Sequence, residues 1–108
     1  MPCKLQVDDT GACDFLATTG SKVTICFQSD SGMLKLANAN YDQTPLTVVN
    51  DSCATFTVLA GRKTLSCVFF NPDASEPMKV SGNCDGGPKV DLGPFPFQAA
   101  NSFVICGS

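Results

Sequence analysis

The sequence predicts an all-β protein: a small antiparallel β-sandwich or barrel of about eight strands, stabilised by disulfides. Three observations carry this. Apolar and polar residues alternate through most of the chain, as in strands with one buried face. Clusters of Gly, Pro, Asn, Asp and Ser interrupt the alternation at intervals of roughly 8–16 residues, the spacing of short strands joined by turns. Seven cysteines are spread over 108 residues with no CxxC pair, the pattern of a disulfide framework.

The elements follow in order. KLQV (4–7) sets Leu5 and Val7 on one face. VDDTG then leaves this strand as an Asx-type turn with Gly11 at the bend. GACDFLA (11–17) is the best helical segment, a single turn. TTGS (18–21) breaks the chain before KVTICF (22–27), which aligns Val23, Ile25 and Phe27. After SDSG (29–32), MLKL (33–36) sets Leu34 and Leu36 against Met33 and Lys35. NANYD (38–42) follows as a turn. PLTVV (45–49) sets Leu46 and Val48 against Thr47 and Val49, and VNDS (49–52) ends it.

ATFTVLA (54–60) puts Phe56 and Val58 opposite threonines, and TLSCVFF (64–70) groups Leu65, Cys67 and Phe69. These arms predict the clearest hairpin of the chain, turning at Gly61-Arg62 where glycine supplies a positive φ. Phe56, Val58, Leu65, Cys67 and Phe69 are expected in the core. NPD (71–73) is a turn. MKV (78–80) and KVDL (89–92) are weaker strands, separated by SGN (81–83) and DGGP (85–88). SFVIC (102–106) closes the chain. In GPFPFQ (93–98) the prolines remove ladder donors, so this run is an edge or an extended loop. Phe95 and Phe97 there either cap the core or, if exposed, form an interface.

A chain of this length is one domain, residues 1–108, and buries roughly two-thirds of its unfolded surface. Its net charge is −3, with six scattered lysines and Arg62 as the single arginine. Nucleic-acid and anionic-membrane partners are therefore disfavoured, since both need clustered cations. No apolar run approaches the roughly 20 residues of a membrane span. Histidine is absent, which removes Ser-His-Asp and Cys-His catalysis and His-ligated metal sites. No cofactor and no metal are expected. Asp-rich turns (Asp30, Asp42, Asp51, Asp73, Asp85) supply oxygens suited to calcium, but none matches an EF-hand loop. Asn83, Asp85 and Asp91 are the best such group. Glycoside hydrolysis needs two paired carboxylates, and Glu76 with nine scattered aspartates names no pair.

Cys3, Cys13, Cys26, Cys53, Cys67, Cys84 and Cys106 are all disulfide candidates. An odd number leaves one thiol over. Chain ends are the least constrained, which points to Cys3 as the unpaired residue. Scattered cysteines imply an oxidising, secreted or extracellular location. The opening MPCKLQVDD has no apolar leader, so secretion implies a signal peptide already removed. Asn50-Asp51-Ser52 is an N-glycosylation sequon in an expected turn.

Asp9-Thr10-Gly11-Ala12 resembles the active-site turn of the retroviral-type aspartic proteases, and Val58-Leu59-Ala60-Gly61-Arg62 is similar to their later apolar-Gly-Arg segment. The resemblance implies a homodimer in which Asp9 of each chain shares a proton with the other. The chain departs from that family in having Asp8, not an apolar residue, before Asp9. It also has too little sequence ahead of it for the usual N-terminal strands. In composition the chain is similar to small cysteine-rich proteins secreted by fungi and other microbes. The expected function is a non-catalytic interaction protein, effector-, adhesin- or antigen-like, with a protein or glycan partner, as a monomer or weak dimer. The alternatives are a self-associating structural or surface protein and a carboxylate-dependent hydrolase, such as the protease using Asp9.

Overall fold

A computed structural model describes residues 3–70 and 76–108; the NPD turn and Asp73 lie outside them. Among the described residues, eleven strands form two sheets. They are β1 (Leu5–Val7), β2 (Phe15–Ala17), β3 (Lys22–Gln28), β4 (Lys35–Tyr41), β5 (Thr44–Pro45), β6 (Val48–Val49), β7 (Cys53–Thr57), β8 (Gly61–Phe70), β9 (Met78–Cys84), β10 (Val90–Phe95) and β11 (Ala100–Gly107). One sheet has the order β1-β2-β11-β8-β4-β5 and the other β10-β9-β3-β7-β6. All neighbours are antiparallel except β2 and β11. The count exceeds eight because several strands are only two or three residues long.

The alternation of each long strand decides which side chains fill the sandwich. Val23, Ile25 and Phe27 of β3 and Leu65, Cys67 and Phe69 of β8 all point inward and are buried. Phe27 bridges the sheets: its ring lies 5.0 Å from Phe69 and 5.7 Å from Phe103, centroid to centroid. Phe103 in turn stacks on Phe15 at 5.7 Å. Four rings thus link β2, β3, β8 and β11, with aromatic geometry adding to simple burial. Leu5 is buried as expected, whereas Val7 stays 40% exposed on the edge strand β1.

Five expectations about secondary structure need correction. The arms 54–60 and 64–70 do not form a hairpin: β7 and β8 lie in different sheets. Residues 58–60 instead cross between the sheets. Val58 exchanges backbone hydrogen bonds with Gly20 and Ser21 beside β3. The Leu59 N–H then donates to the Tyr41 hydroxyl at 2.9 Å, and Gly61, at φ 85°, admits the chain into β8. PLTVV likewise divides, into β5 in one sheet and β6 in the other.

NANYD is mostly strand. Ala39 and Tyr41 are buried, Tyr41 stacks on Phe56 at 4.3 Å, and the turn moves to Asp42-Gln43, both with positive φ. Such a pair suits a tight hairpin loop. SGN is also strand, inside β9, because β3 packs so closely there that only glycine fits at position 82. GACDFLA is not helical: Phe15–Ala17 is β2, paired between β1 and β11.

Three disulfides clamp the sandwich: Cys3–Cys84, Cys13–Cys106 and Cys26–Cys53. Cys3 is therefore not the unpaired cysteine; Cys67 is, buried on the inner face of β8. The chain-end argument fails because Cys3 lies beside the end of β9, where Cys84 waits 5.8 Å away between Cα atoms. Its bond joins the segment before β1 to a strand of the other sheet.

Candidate functional site: a polar groove on the five-stranded sheet

The inward residues of β3 and β9 form the core, so their outward partners form a surface. On β3 these are Thr24, Cys26 and Gln28; on β9 they are Lys79, Ser81 and Asn83. Cys26 and Cys53 face each other directly across β3 and β7, with Cα atoms 4.0 Å apart. A cleft of about 420 Å³ opens over this disulfide. Asn83 and Ser81 line one side, Ser52 the other, and Lys35 and Lys89 the rim. Phe27 and Leu34 contribute from beneath and are themselves buried.

A second cleft of about 400 Å³ adjoins the first and shares Gln28, Ser81 and Lys89 with it. It runs on past Lys79 and Asp91 to Pro94 on β10. Together they make a groove across β3, β9 and β10. Lys79 is paired with Asp30 at 2.6 Å. Asp91 accepts the Gly93 N–H at 3.0 Å, fixing the bulge that keeps Leu92 inward. Among the described residues, Lys35 and Lys89 have no carboxylate partner. The side chains of Gln28, Ser81 and Asn83 make no hydrogen bond to another described residue.

The VDDTG turn is built around Asp8, not Asp9. Asp8 is buried, and its carboxylate accepts the Thr10 hydroxyl at 2.7 Å, the Thr10 N–H at 3.0 Å and the Cys13 N–H at 2.8 Å. The Thr10 hydroxyl, then the Cys13 and Thr10 amides, hold the Asp8 carboxyl below its usual range. Asp9 is exposed at the loop tip, where only a second copy of the chain brings another Asp9 to it. Asp14 receives the Val104 N–H at 2.7 Å and ties the loop to β11.

The remaining candidates are dispersed. Phe95 and Phe97 are half-buried: Phe95 meets Phe15 and Phe103 edge-on, and Phe97 lies 6.2 Å from Phe69. Asn50 is exposed in the loop between β6 and β7, and its backbone carbonyl accepts the Ser52 hydroxyl at 3.4 Å. Asp85 accepts the Lys22 N–H at 2.8 Å and so serves the start of β3, while Asp91 serves its own turn. Cys3, Cys84 and Asp85 converge, but the two sulfurs are bonded to one another and offer no thiolate.

Sequence reasoning did not pick out Lys35, Lys89, Gln28 or Ser81, and it named Asn83 only as a calcium-ligand candidate. The signal that finds Gln28 is the complement of the core face of β3. Lys35 begins β4 and Lys89 precedes β10, and only the fold brings them together. Comparison with protein-family models, with curated proteins and with solved structures finds no match for this chain.

Proposed function

We propose that this chain is a secreted, disulfide-bonded interaction protein that holds a protein or glycan partner in the groove over β3 and β9, without catalysis. The observation that carries this reading is the groove itself: two adjoining clefts on one sheet, where the side chains of Gln28, Ser81 and Asn83 make no hydrogen bond to another described residue. Polar groups on regular strands are held in place by the ladder beneath them, which favours recognition. Among the described residues no carboxylate lines the near cleft, so it offers no carboxylate acid or base. Three disulfides suit an oxidising, extracellular setting.

The test is a screen of immobilised glycans and candidate surface proteins with the wild-type chain and with Ser81→Arg. Ser81 belongs to both clefts and points outward, so arginine fills the groove while the core is untouched. Partners that bind wild type and lose Ser81→Arg, with an unchanged circular dichroism spectrum, support the reading. Binding that survives the substitution overturns it.

A second reading rests on Phe70 and Met33, which are 60% and 57% exposed. Val68 and Phe70 alternate outward on β8, and an apolar row of this kind favours self-association. Light scattering of wild type and Phe70→Ser across protein concentration decides this.

A further inference from the structure

We infer that the groove takes an acidic oligosaccharide, one bearing carboxylate or sulfate groups; this rests on the groove being the recognition surface. The chain carries ten acidic and seven basic residues, yet the groove reverses that balance. Among the described residues its lining contains Lys35, Lys79 and Lys89 against the single carboxylate of Asp91. Lys79 and Asp91 are already engaged, with Asp30 and the Gly93 N–H respectively. Among the described residues, the charges left unanswered are the ammonium groups of Lys35 and Lys89, flanking the near cleft.

Between them lie groups that both donate and accept: the Gln28 and Asn83 amides and the Ser81 hydroxyl. A ligand matched to this surface carries many hydroxyls and spaced negative charges. A peptide fits less well. Peptide recognition relies on apolar or aromatic anchors in pockets, or on pairing with a strand edge. Here the apolar lining residues Phe27 and Leu34 are buried beneath the surface, and β3 and β9, which carry the near cleft, are interior strands with no free edge; the sheet ends at β10, beyond that cleft.

Both lysines are exposed, so each ion pair contributes modestly and is screened by salt. The experiment is an amide NMR titration of the intact, oxidised protein. The probes are a galacturonate hexasaccharide, a heparin-derived hexasaccharide, maltohexaose and a polyglutamate peptide, at low and high ionic strength. One or both acidic saccharides are expected to shift the amides of Gln28, Ser81 and Asn83, and to weaken at high salt. The first two probes separate carboxylate from sulfate recognition. Lys35→Gln and Lys89→Gln are each expected to weaken that binding about fivefold. Lys63→Gln, on the other sheet, leaves it unchanged. The inference is overturned if neither acidic saccharide shifts these amides, if maltohexaose binds as tightly, or if polyglutamate binds more tightly than both. Maltohexaose binding at the same amides would leave the groove as the recognition surface and remove only its charge preference.

Discussion

The carboxylate of Asp8 accepts the backbone N–H of Cys13, five residues on, at 2.8 Å. This bond, with the two from Thr10, closes the loop that carries Cys13 to Cys106. Asp8 therefore contributes stability only as a carboxylate. Its pKa is depressed in the folded state, so the contribution is present above the unfolded value, about 3.9, and is lost as pH falls through the folded value. Asp8→Asn is expected to lower Tm at neutral pH, and its deficit against wild type is expected to shrink below about pH 4. Asp9→Asn, at an exposed tip, leaves Tm at neutral pH unchanged. Thermal melts of the three proteins from neutral to acid pH check this; a deficit that persists undiminished in acid would assign Asp8 a role other than its charge.

Cys67 is 1% exposed on the core face of β8 and has no bridge partner. Burial pushes its thiol up to about 12, so the folded protein keeps it protonated and unreactive. A native, non-reduced sample is expected to take up no iodoacetamide, a denatured non-reduced sample one, and a denatured reduced sample seven. Intact mass reads all three. The raised pKa also means that the thiol favours the folded state increasingly less as pH rises from the unfolded value, about 8.5, toward the folded one. Wild type is therefore expected to lose stability across that alkaline window more steeply than Cys67→Ala.

The inward faces of β3, β8 and the C-terminal β11 were legible because alternation there is strict and undisturbed by turn residues. The same alternation runs through Ala37-Asn38-Ala39-Asn40-Tyr41, but the asparagines looked like a turn. What settles that segment is Tyr41 stacking on Phe56 of the other sheet, a contact between distant parts of the chain. The crossing at 58–60 was hidden for a similar reason. Two alternating arms around a glycine describe a hairpin and a sheet-to-sheet arch equally well. The unpaired cysteine was within reach: the pattern that buries Cys67 between Leu65 and Phe69 already turns it away from any surface partner. The groove was not legible, since Lys35, Ser52, Ser81 and Lys89 meet only through strand order.

The disulfides differ in what they constrain. Cys13–Cys106 closes a separation of 93 residues and Cys26–Cys53 one of 27. Chain-entropy reasoning gives roughly 4.5 kcal/mol for the former and 3.5 kcal/mol for the latter. Those loop lengths hold for each bridge alone, so variants retaining only one of the two bridges are expected to be stabilised in that order over a bridge-free variant in urea titrations. The reverse order would locate the dominant contribution in folded-state contacts of Cys26–Cys53 beneath the groove.

The sequon makes a prediction that the loop geometry sharpens. Asn50 and Asp51 both adopt positive φ, at 53° and 62°, in the exposed connection between β6 and β7. An asparagine presented this way is open to modification. Expression through a eukaryotic secretory pathway is expected to add an N-glycan that glycosidase treatment removes and that Asn50→Gln abolishes. Unmodified secreted protein would show that the loop is withheld from the glycosylation machinery.

Gly82 lies at the centre of β9, paired with Ile25 of β3 and Val90 of β10. A Cβ there would sit 2.7 Å from the Thr24 carbonyl oxygen and 2.9 Å from Leu5 Cδ2. The first of these is backbone and cannot rotate away. The second belongs to β1 of the opposite sheet, so the missing side chain sets how closely the sheets approach. Gly82→Ala is expected to destabilise by about 1–3 kcal/mol, the usual cost of overpacking. Leu5→Ala removes the side-chain clash and leaves the backbone one. The double variant should therefore cost less than the sum of the singles, because their effects couple through one contact. Additive losses in a urea double-mutant cycle would mean that the Thr24 carbonyl alone excludes a side chain at position 82.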